Sequence, residues 1–233
     1  MTADSNTDRS TLDANIRVDF PALRLDVQLS VAAGEVLGLV GPNGSGKTTI
    51  LRAIAGLQPL AAGRIHINGV VVDDPQAEVH IAPQDRRVGV VFQDYRLFPH
   101  LSARDNVAFG LRCNGKRRAD ARRIADEWIE RVELGAHRDH RPNALSGGQA
   151  QKVALARSLA VEPDVLLLDE PLAAVDPGTR TSLGEDLGRY LASFSGATVM
   201  VSHDREEIRA RTNRVIVIQA GRATWTGPSA DLR

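Results

Sequence analysis

Residues 41–48 read Gly41-Pro42-Asn43-Gly44-Ser45-Gly46-Lys47-Thr48 and match the pattern G-x-x-x-x-G-K-[ST]. A short apolar run, residues 36–40, precedes them, and a helical pattern over residues 47–57 follows. Glycines let backbone N–H groups wrap around phosphates, and the N-terminus of the following helix adds positive potential. We therefore predict a nucleotide-binding loop that continues through Thr49. Within it, Lys47 reaches the β- and γ-phosphates, and the Thr48 hydroxyl is a ligand for Mg²⁺.

Two carboxylates follow a second apolar run. Residues 165–168 are Val-Leu-Leu-Leu, and Asp169 and Glu170 come directly after them. In open α/β sheets, ligands bind at the C-terminal edge of the strands, so the pair stands where a ligand is expected. We expect Asp169 to hold Mg²⁺ through water and Glu170 to orient or deprotonate an attacking water. If this segment is considered alone, the alternative to a functional role is an acidic turn that simply ends a strand.

The composition limits the class of protein. The chain is 42% hydrophobic and 25% charged, as is typical of a folded globular protein. Acidic and basic residues balance at 29 each, so no overall field attracts the chain to nucleic acid. Cys113 is the single cysteine, which excludes an internal disulfide and a thiolate zinc site. Because no apolar run approaches the roughly 20 residues of a membrane span, we expect a soluble, intracellular protein that reaches a membrane only through partners.

Strand-like and helix-like patterns alternate along the chain. Residues 16–31 alternate apolar and polar side chains as half-buried antiparallel strands do, and Asn68-Gly69 predicts a hairpin. Residues 102–141 are mostly helical, with a predicted apolar stripe of Ile124, Trp128 and Val132. The other predicted elements are strands over 88–92, 165–168, 199–201 and, last, 215–218, and helices over 153–159, 181–192 and 205–211.

This alternation predicts a fold of the α/β class, a P-loop NTPase (RecA-like) core with a mainly parallel sheet. The early hairpins form an antiparallel β subdomain, and a helical subdomain is inserted at about residues 93–143. We expect residues 1–233 to form one domain, in which the polar residues 1–11 are a loose tail.

A further motif points to a family. Residues 145–149 are Leu145-Ser146-Gly147-Gly148-Gln149, and they end 20 residues before Asp169. With these residues the sequence resembles the ATP-binding subunits of ABC transporters, and the resemblance extends from about residue 16 to residue 222. Five elements occur in the family's order: the phosphate loop, Gln93, the LSGGQ signature, the Asp169-Glu170 pair and His203.

The signature also has the chemistry of an anion site. Ser146 is a residue type that caps helix N-termini, and the glycines after it expose backbone donors. The resemblance implies that ATP and Mg²⁺ are the cofactors and that two copies of the chain pair head to tail. Each ATP then contacts the phosphate loop of one copy and Ser146, Gly147, Gly148 and Gln149 of the other.

The resemblance assigns roles to four more residues. It implies that Gln93 contacts Mg²⁺ and water, that His203 hydrogen-bonds the γ-phosphate and that Asp176 crosses the dimer interface. Phe20 is a candidate for stacking on adenine, and packing at a strand end is an equal alternative. Residues 150–152 are Ala-Gln-Lys, where the family often has Arg-Gln-Arg, which leaves the detailed contacts of this helix open.

The same resemblance implies an ATP-hydrolysing importer subunit at the cytoplasmic face of the cell membrane. Its partners are two transmembrane permease subunits that dock on the helical subdomain and, indirectly, an extracytoplasmic substrate-binding protein. Residues 86–101 and 18–21 look like those of bacterial molybdate importer ATPases, so molybdate is the expected substrate. Sulfate, ferric iron and polyamines are alternatives, and a non-transport P-loop ATPase or kinase is a distant one. Many molybdate ATPases carry a C-terminal anion-binding domain, for which we expect no room within these 233 residues.

Overall fold

The computed structural model describes residues 10–21, 23–173, 175 and 177–232. The strands in these ranges are β1 (Ser10–Asp19), β2 (Arg24–Ala32), β3 (Val36–Val40), β4 (Ala62–Ile67), β5 (Val70–Asp74), β6 (Val79–His80), β7 (Val88–Val91), β8 (Val165–Asp169), β9 (Ala197–Val201), β10 (Arg214–Gln219) and β11 (Arg222–Pro228). The α-helices in the same ranges are α1 (Lys47–Ile54), α2 (Ala103–Cys113), α3 (Arg118–Arg131), α4 (Gly147–Leu159), α5 (Pro177–Ser193) and α6 (Arg205–Arg211). Over these ranges, no helix is both long enough and apolar enough to cross a membrane.

The described strands join in one sheet with the order β6-β5-β4-β1-β2-β11-β10-β3-β9-β8-β7. The strands from β10 to β7 pair in parallel. The strands from β6 to β2 pair antiparallel. The predicted α/β class is therefore confirmed, including the antiparallel part that precedes much of the parallel core in sequence.

The central strands β3, β8 and β9 are buried at every position. Strands covered on both faces need apolar side chains on both faces, which explains their nearly continuous Val and Leu runs. Leu39 and Asp169 are each in register with Val201 of β9, so the three strands end close together. The residues that follow these strands therefore leave from one edge of the sheet.

The antiparallel part presents one apolar face to α1. Along β2 the side chains alternate between exposed and buried, and Leu25 and Val27 pack in one core cluster with Ile50 of α1. The hairpin between β4 and β5 turns at Asn68 and Gly69, whose φ values of 48° and 75° suit the type I′ turn expected for this dipeptide.

The helical segment packs through smaller side chains than the sequence suggests. Of the predicted stripe, Ile124 and Trp128 are only partly buried, whereas Val132, which directly follows α3, is fully buried. Within α3 itself the fully buried residues are Ala121, Ala125 and Ile129. Since α3 packs against both α2 and α4, alanines let the backbones approach closely, and the larger residues lie at the margin of the contact.

Two predictions near the ends of the chain are wrong. Ser10 and Thr11, predicted as part of a tail over residues 1–11, belong to β1, in which Ser10 pairs with Ala32; residues 1–9 lie outside the described residues. Residues 215–218 are not the last strand, because β11 follows and pairs antiparallel with β10. Nearly all of β11 is exposed, so it lacks the apolar alternation by which half-buried strands are recognised.

Candidate functional site

The phosphate loop connects β3 to α1, and two of its positions require glycine. At Gly41, a Cβ atom would lie 2.1 Å from the Ile218 carbonyl oxygen, so a side chain would collide with the backbone of β10. Gly46 has a φ of 106°, and a Cβ atom there would lie 2.7 Å from Leu25 Cδ1. Because Gly46 is also the N-cap of α1, the loop ends at the N–H donors of a helix terminus.

Lys47 is buried and its ammonium turns back across the loop. Nζ donates to the carbonyl oxygens of Gly41, at 2.7 Å, and Pro42, at 3.0 Å. Burial lowers the pKa of the ammonium, and the carboxylates of Glu170 and Asp169 act against that shift. The positive charge is therefore fixed inside the loop, next to the N-terminus of α1.

Thr48 and Asp169 connect the predicted phosphate loop to the predicted carboxylate pair. Thr48 Oγ1 donates to Asp169 Oδ1 at 3.3 Å, across 121 positions of sequence. Asp169 is buried, and this burial raises the pKa of its carboxyl, while the hydrogen bond from Thr48 acts in the opposite direction. A hydroxyl and a carboxylate oxygen are thereby brought together, and oxygen donors of this kind suit Mg²⁺.

Glu170 and His203 follow the adjacent strands β8 and β9. His203 Nδ1 lies 3.4 Å from Glu170 Oε2, and the imidazole is largely exposed. Glu170 has a φ of 48°, in the left-handed region that non-glycine residues rarely occupy. Such backbone conformations persist where the surrounding structure enforces them, and they are frequent at functional sites.

A cleft of about 580 Å³ lies beside the phosphate loop. It brings together predicted residues from distant parts of the sequence: Phe20, Asn43, Gly44, Gly46, Lys47, Thr48, Thr49, Gln93 and Glu170. Phe20 is 40% exposed. Its ring is therefore accessible at the cleft and is not buried against other side chains.

The signature motif forms a different surface. Gln149 N donates to Ser146 Oγ at 3.3 Å, and Ser146 N donates to Gln149 Oε1 at 2.9 Å, a reciprocal cap at the start of α4. Ser146, Gly148 and Gln149 line a cavity of about 300 Å³. Within the described part of the chain, no residue of the signature lines the phosphate-loop cleft. The two candidate anion-binding helix termini of one chain therefore lie in separate places.

Asp176 lies outside the described residues, so its predicted position at a dimer interface stays a prediction. Leu23 also lines the cleft, although it was not predicted as a site residue. Its apolar side chain, two residues after Pro21 and three after Phe20, is the signal that could have identified it.

Glu207 is also missed by the sequence analysis. It accepts a 2.6 Å hydrogen bond from Ser202 Oγ, which in turn accepts one from Asp204 N at 3.1 Å. These bonds hold the turn that carries His203, and burial raises the pKa of the Glu207 carboxyl. A glutamate on a short charged helix normally faces solvent, so no pattern in the sequence indicates this role.

The sequence profile of the family described as "ABC transporter" matches residues 25–173, more than half of the chain. The chain belongs to the ABC transporter family. The matched range begins in β2, contains the phosphate loop, Gln93 and the signature, and ends just beyond the Asp169-Glu170 pair.

Three curated importer proteins of this family illustrate the similarity. The chain is 46% identical over 213 residues to the molybdenum import ATP-binding protein ModC of Mycobacterium tuberculosis, which covers 90% of this chain and 58% of the relative. It is 44% identical over 216 residues to the sulfate/thiosulfate import ATP-binding protein CysA of Methylococcus capsulatus, covering 91% and 60%. It is 42% identical over 215 residues to the spermidine/putrescine import ATP-binding protein PotA of Roseobacter denitrificans, covering 92% and 57%. The chain thus spans less than two thirds of the length of these relatives.

A solved structure supports the fold independently. It is described as the dimeric structure of a post-hydrolysis state of an ATP-binding cassette bound to ADP and Pi. The two chains are 29% identical, the TM-score is 0.77, and the match covers 94% of this chain and 98% of the other. The ABC ATPase fold is therefore shown for this chain.

Proposed function

We propose that this chain is the ATP-hydrolysing subunit of an ABC importer and that it works as a head-to-tail dimer. The observation that carries the proposal is the hydrogen bond between Thr48 Oγ1 and Asp169 Oδ1. This contact joins the phosphate loop to the carboxylate pair, and Thr48 and Glu170 line the same cleft. Phosphoryl transfer needs this combination, because it depends on positioning the phosphates, balancing their charge and orienting the nucleophile.

Thr48 and Asp169 fit Mg²⁺, since they bring a hydroxyl and a carboxylate oxygen within 3.3 Å of each other next to the cleft. Gln93 lines the same cleft and adds an amide oxygen. We assign the metal to these three residues, with Asp169 acting through water. Bound there, Mg²⁺ would neutralise part of the negative charge on the β- and γ-phosphates.

The other side chains have distinct roles in the proposed reaction. Lys47 exchanges its two carbonyl acceptors for oxygens of the β- and γ-phosphates. Glu170 accepts a hydrogen bond from the attacking water and takes its proton. His203, which already lies 3.4 Å from Glu170, donates to the γ-phosphate. Phe20 provides a ring face for adenine, and residues 41–49 bind the phosphates through their backbone.

The dimer follows from the separation of the phosphate loop and the signature. Ser146, Gly147, Gly148 and Gln149 stand at the N-terminus of α4, where the positive end of the helix dipole attracts an anion. In a head-to-tail pair, this terminus of one copy faces the ATP that is bound to the phosphate loop of the other. We place Asp176 at the same interface, as the family resemblance implies.

The importer role rests on the relatives, each of which is named as an import protein. We propose that two permease subunits dock on the helical subdomain at the cytoplasmic face of the membrane, and that an extracytoplasmic binding protein delivers the substrate. Molybdate is our preferred substrate because of residues 86–101. The identities of 46%, 44% and 42% differ little, so sulfate, ferric iron and polyamines are the next candidates.

The proposed ATP-hydrolysing role is tested with Glu170→Gln. We expect this chain to bind ATP but to turn over at least about a hundredfold more slowly, because the general base is lost. Trapped with ATP, it should elute from a sizing column as a dimer. Glu185→Gln, which changes an exposed carboxylate on α5, is the matched control and should retain wild-type turnover. Wild-type turnover of Glu170→Gln would contradict the assignment of the base.

The head-to-tail arrangement is tested in the Glu170→Gln background. Adding Ser146→Arg places a bulky cation at the signature and should prevent the ATP-dependent dimer. Adding Ser195→Arg, at an exposed position after α5, should leave it intact. A dimer that tolerates Ser146→Arg would refute the proposed pairing.

The substrate is tested by uptake. A strain that lacks this chain should lose molybdate uptake at nanomolar but not at millimolar molybdate. The wild-type chain should restore it, and Glu170→Gln should not. Unchanged uptake at both concentrations would exclude molybdate and leave the ATPase assignment untouched.

A further inference from the structure

The backbone that follows Gln93 has an unusual conformation. Tyr95 and Arg96 have φ values of 56° and 44°, so two consecutive non-glycine residues lie in the left-handed region. This region is unfavourable for residues with a Cβ atom, because Cβ approaches the following carbonyl oxygen. The turn therefore needs compensating contacts, and Tyr95 contributes by being buried.

Arg157 supplies these contacts from another element. Its Nη2 donates to the carbonyl oxygen of Tyr95 and its Nη1 to that of Arg96, both at 2.8 Å. The guanidinium also lies 5.8 Å from the centre of the Phe98 ring. Burial lowers the pKa of Arg157, which reflects the desolvation that these contacts offset. The guanidinium thus reaches the two carbonyl oxygens through two separate nitrogens in one plane. A lysine ammonium has a single nitrogen and does not reproduce that geometry.

The same segment is anchored a second time. Asn106, a fully buried residue of α2, accepts from Phe98 N at 2.8 Å and donates to Phe98 O at 3.2 Å. It also donates to the carbonyl oxygens of Leu101 and Ser102. The chain from Tyr95 to Ser102 is therefore held by α4 at its first residues and by α2 from Phe98 onwards.

The position of Arg157 in the fold gives its contacts a functional meaning. Arg157 lies on α4, the helix that begins at the signature motif. Gln93 lies two residues before the strained turn and lines the phosphate-loop cleft. One side chain therefore connects the helix of one candidate phosphate site to the loop that enters the other.

We infer that Arg157 is a positioning residue for Gln93: it stabilises the left-handed turn at Tyr95 and Arg96, so that the signature helix sets the place of Gln93 in the cleft. The inference deepens the proposed ATPase function and rests on it. Without the two hydrogen bonds, Tyr95 and Arg96 return to ordinary φ values, and Gln93 leaves its position.

Arg157→Lys is the first test, with Arg189→Lys, an exposed change on α5, as control. We expect Arg157→Lys to lower kcat at least fivefold while KM for ATP changes less than twofold, because the phosphate loop itself is untouched. Hydrogen exchange of the peptide over residues 92–101 should become at least tenfold faster. The control should change neither quantity.

A second change separates positioning from general stability. Adding Arg96→Gly to Arg157→Lys removes the cost of the left-handed conformation. It should restore at least half of the lost kcat and at least half of the lost protection from hydrogen exchange over residues 92–101. Arg96→Ala removes the same side chain but keeps the cost, so it should restore nothing. Equal recovery with Gly and Ala, or a KM that rises in parallel with the fall in kcat, would overturn the inference.

Two further measurements cover the remaining outcomes. If Arg157→Lys does not fold, Arg96→Gly alone should have a higher Tm than Arg96→Ala alone, and equal Tm values would overturn the inference. Hydrogen exchange needs no turnover. Unchanged hydrogen exchange in Arg157→Lys would therefore contradict the positioning role of Arg157. A wild-type chain without ATPase activity would instead contradict the proposed function.

Discussion

Glu170 lies beside His203 at the ends of β8 and β9, and two contacts connect these ends of the strands. Their side chains approach to 3.4 Å between Oε2 and Nδ1, and Glu170 N donates to the carbonyl oxygen of Val201, two residues before His203, at 2.9 Å. The sheet hydrogen bonding therefore continues to the residue that enters the cleft. Glu170 therefore leaves from backbone that the sheet holds in place, beside the end of β9 that leads to His203.

His203→Ala should lower kcat for ATP by about 10- to 100-fold, with a change in KM of less than about threefold, because a donor to the developing charge is lost and the phosphate loop is intact. Steady-state ATPase assays measure both constants. His100→Ala, which changes an exposed histidine of the helical subdomain, should leave both unchanged. A loss confined to KM would assign His203 to substrate binding instead.

Asp169→Asn should abolish Mg²⁺-dependent turnover yet raise the Tm of the ligand-free chain by a few degrees at pH 7. Because burial raises the folded pKa of Asp169, its stabilising contribution is present below the unfolded pKa of about 4 and is lost as pH rises through the folded value. Asparagine does not titrate, so it avoids that loss.

Thermal melts of ligand-free wild-type and Asp169→Asn chains at several pH values test this prediction. The difference in Tm should shrink towards zero as pH falls to about 4. Asp85→Asn, at an exposed position, should follow the wild type throughout. A Tm of Asp169→Asn below that of the wild type at pH 7 would contradict the destabilising effect of the buried carboxylate.

Phe20→Ala should weaken ATP binding by about two- to tenfold, since one aromatic stacking contact is worth about 0.5–1.5 kcal/mol. Phe20→Trp should retain most of the affinity because it keeps a ring at the cleft. Equilibrium binding of a fluorescent ATP analogue measures the effect. Phe109→Ala removes another exposed ring, on α2, and should bind like the wild type; equal affinity of Phe20→Ala would remove Phe20 from the adenine site.

Lys47→Ala should weaken ATP binding at least tenfold, because the loop loses the buried ammonium that balances phosphate charge. It should also leave the carbonyl groups of Gly41 and Pro42 without their donor. The same binding assay measures affinity, and Lys116→Ala, at an exposed position after α2, is the control. Unchanged affinity in Lys47→Ala would contradict the assignment of the phosphate loop.

Much of the fold could be predicted from local patterns. Buried strands such as β8 need apolar residues at every position, and the hairpin at Asn68 needs a dipeptide that tolerates positive φ. Both requirements restrict the residue types over a few consecutive positions, so they can be detected in the sequence. The exposed strand β11 has no such pattern of residue types, because it forms by pairing with β10 and not by burying its own side chains.

The candidate site divides in the same way. Residues 41–48 and the pair Asp169 and Glu170 could be recognised because phosphate and metal chemistry restrict residue type at fixed spacing. The roles of Leu23 and Glu207 could not be recognised. Their importance comes from the residues that the fold places beside them, and neither residue type implies it.

The amino-acid sequence alone therefore determined the phosphate loop, the carboxylate pair, the signature helix and the α/β class, since each depends on interactions between near neighbours. Only the tertiary structure decided that Thr48 meets Asp169, that the signature lies apart from the cleft, and that Arg157 holds the turn after Gln93. These relationships join residues that lie 60 to more than 100 positions apart, and chain packing sets their distances.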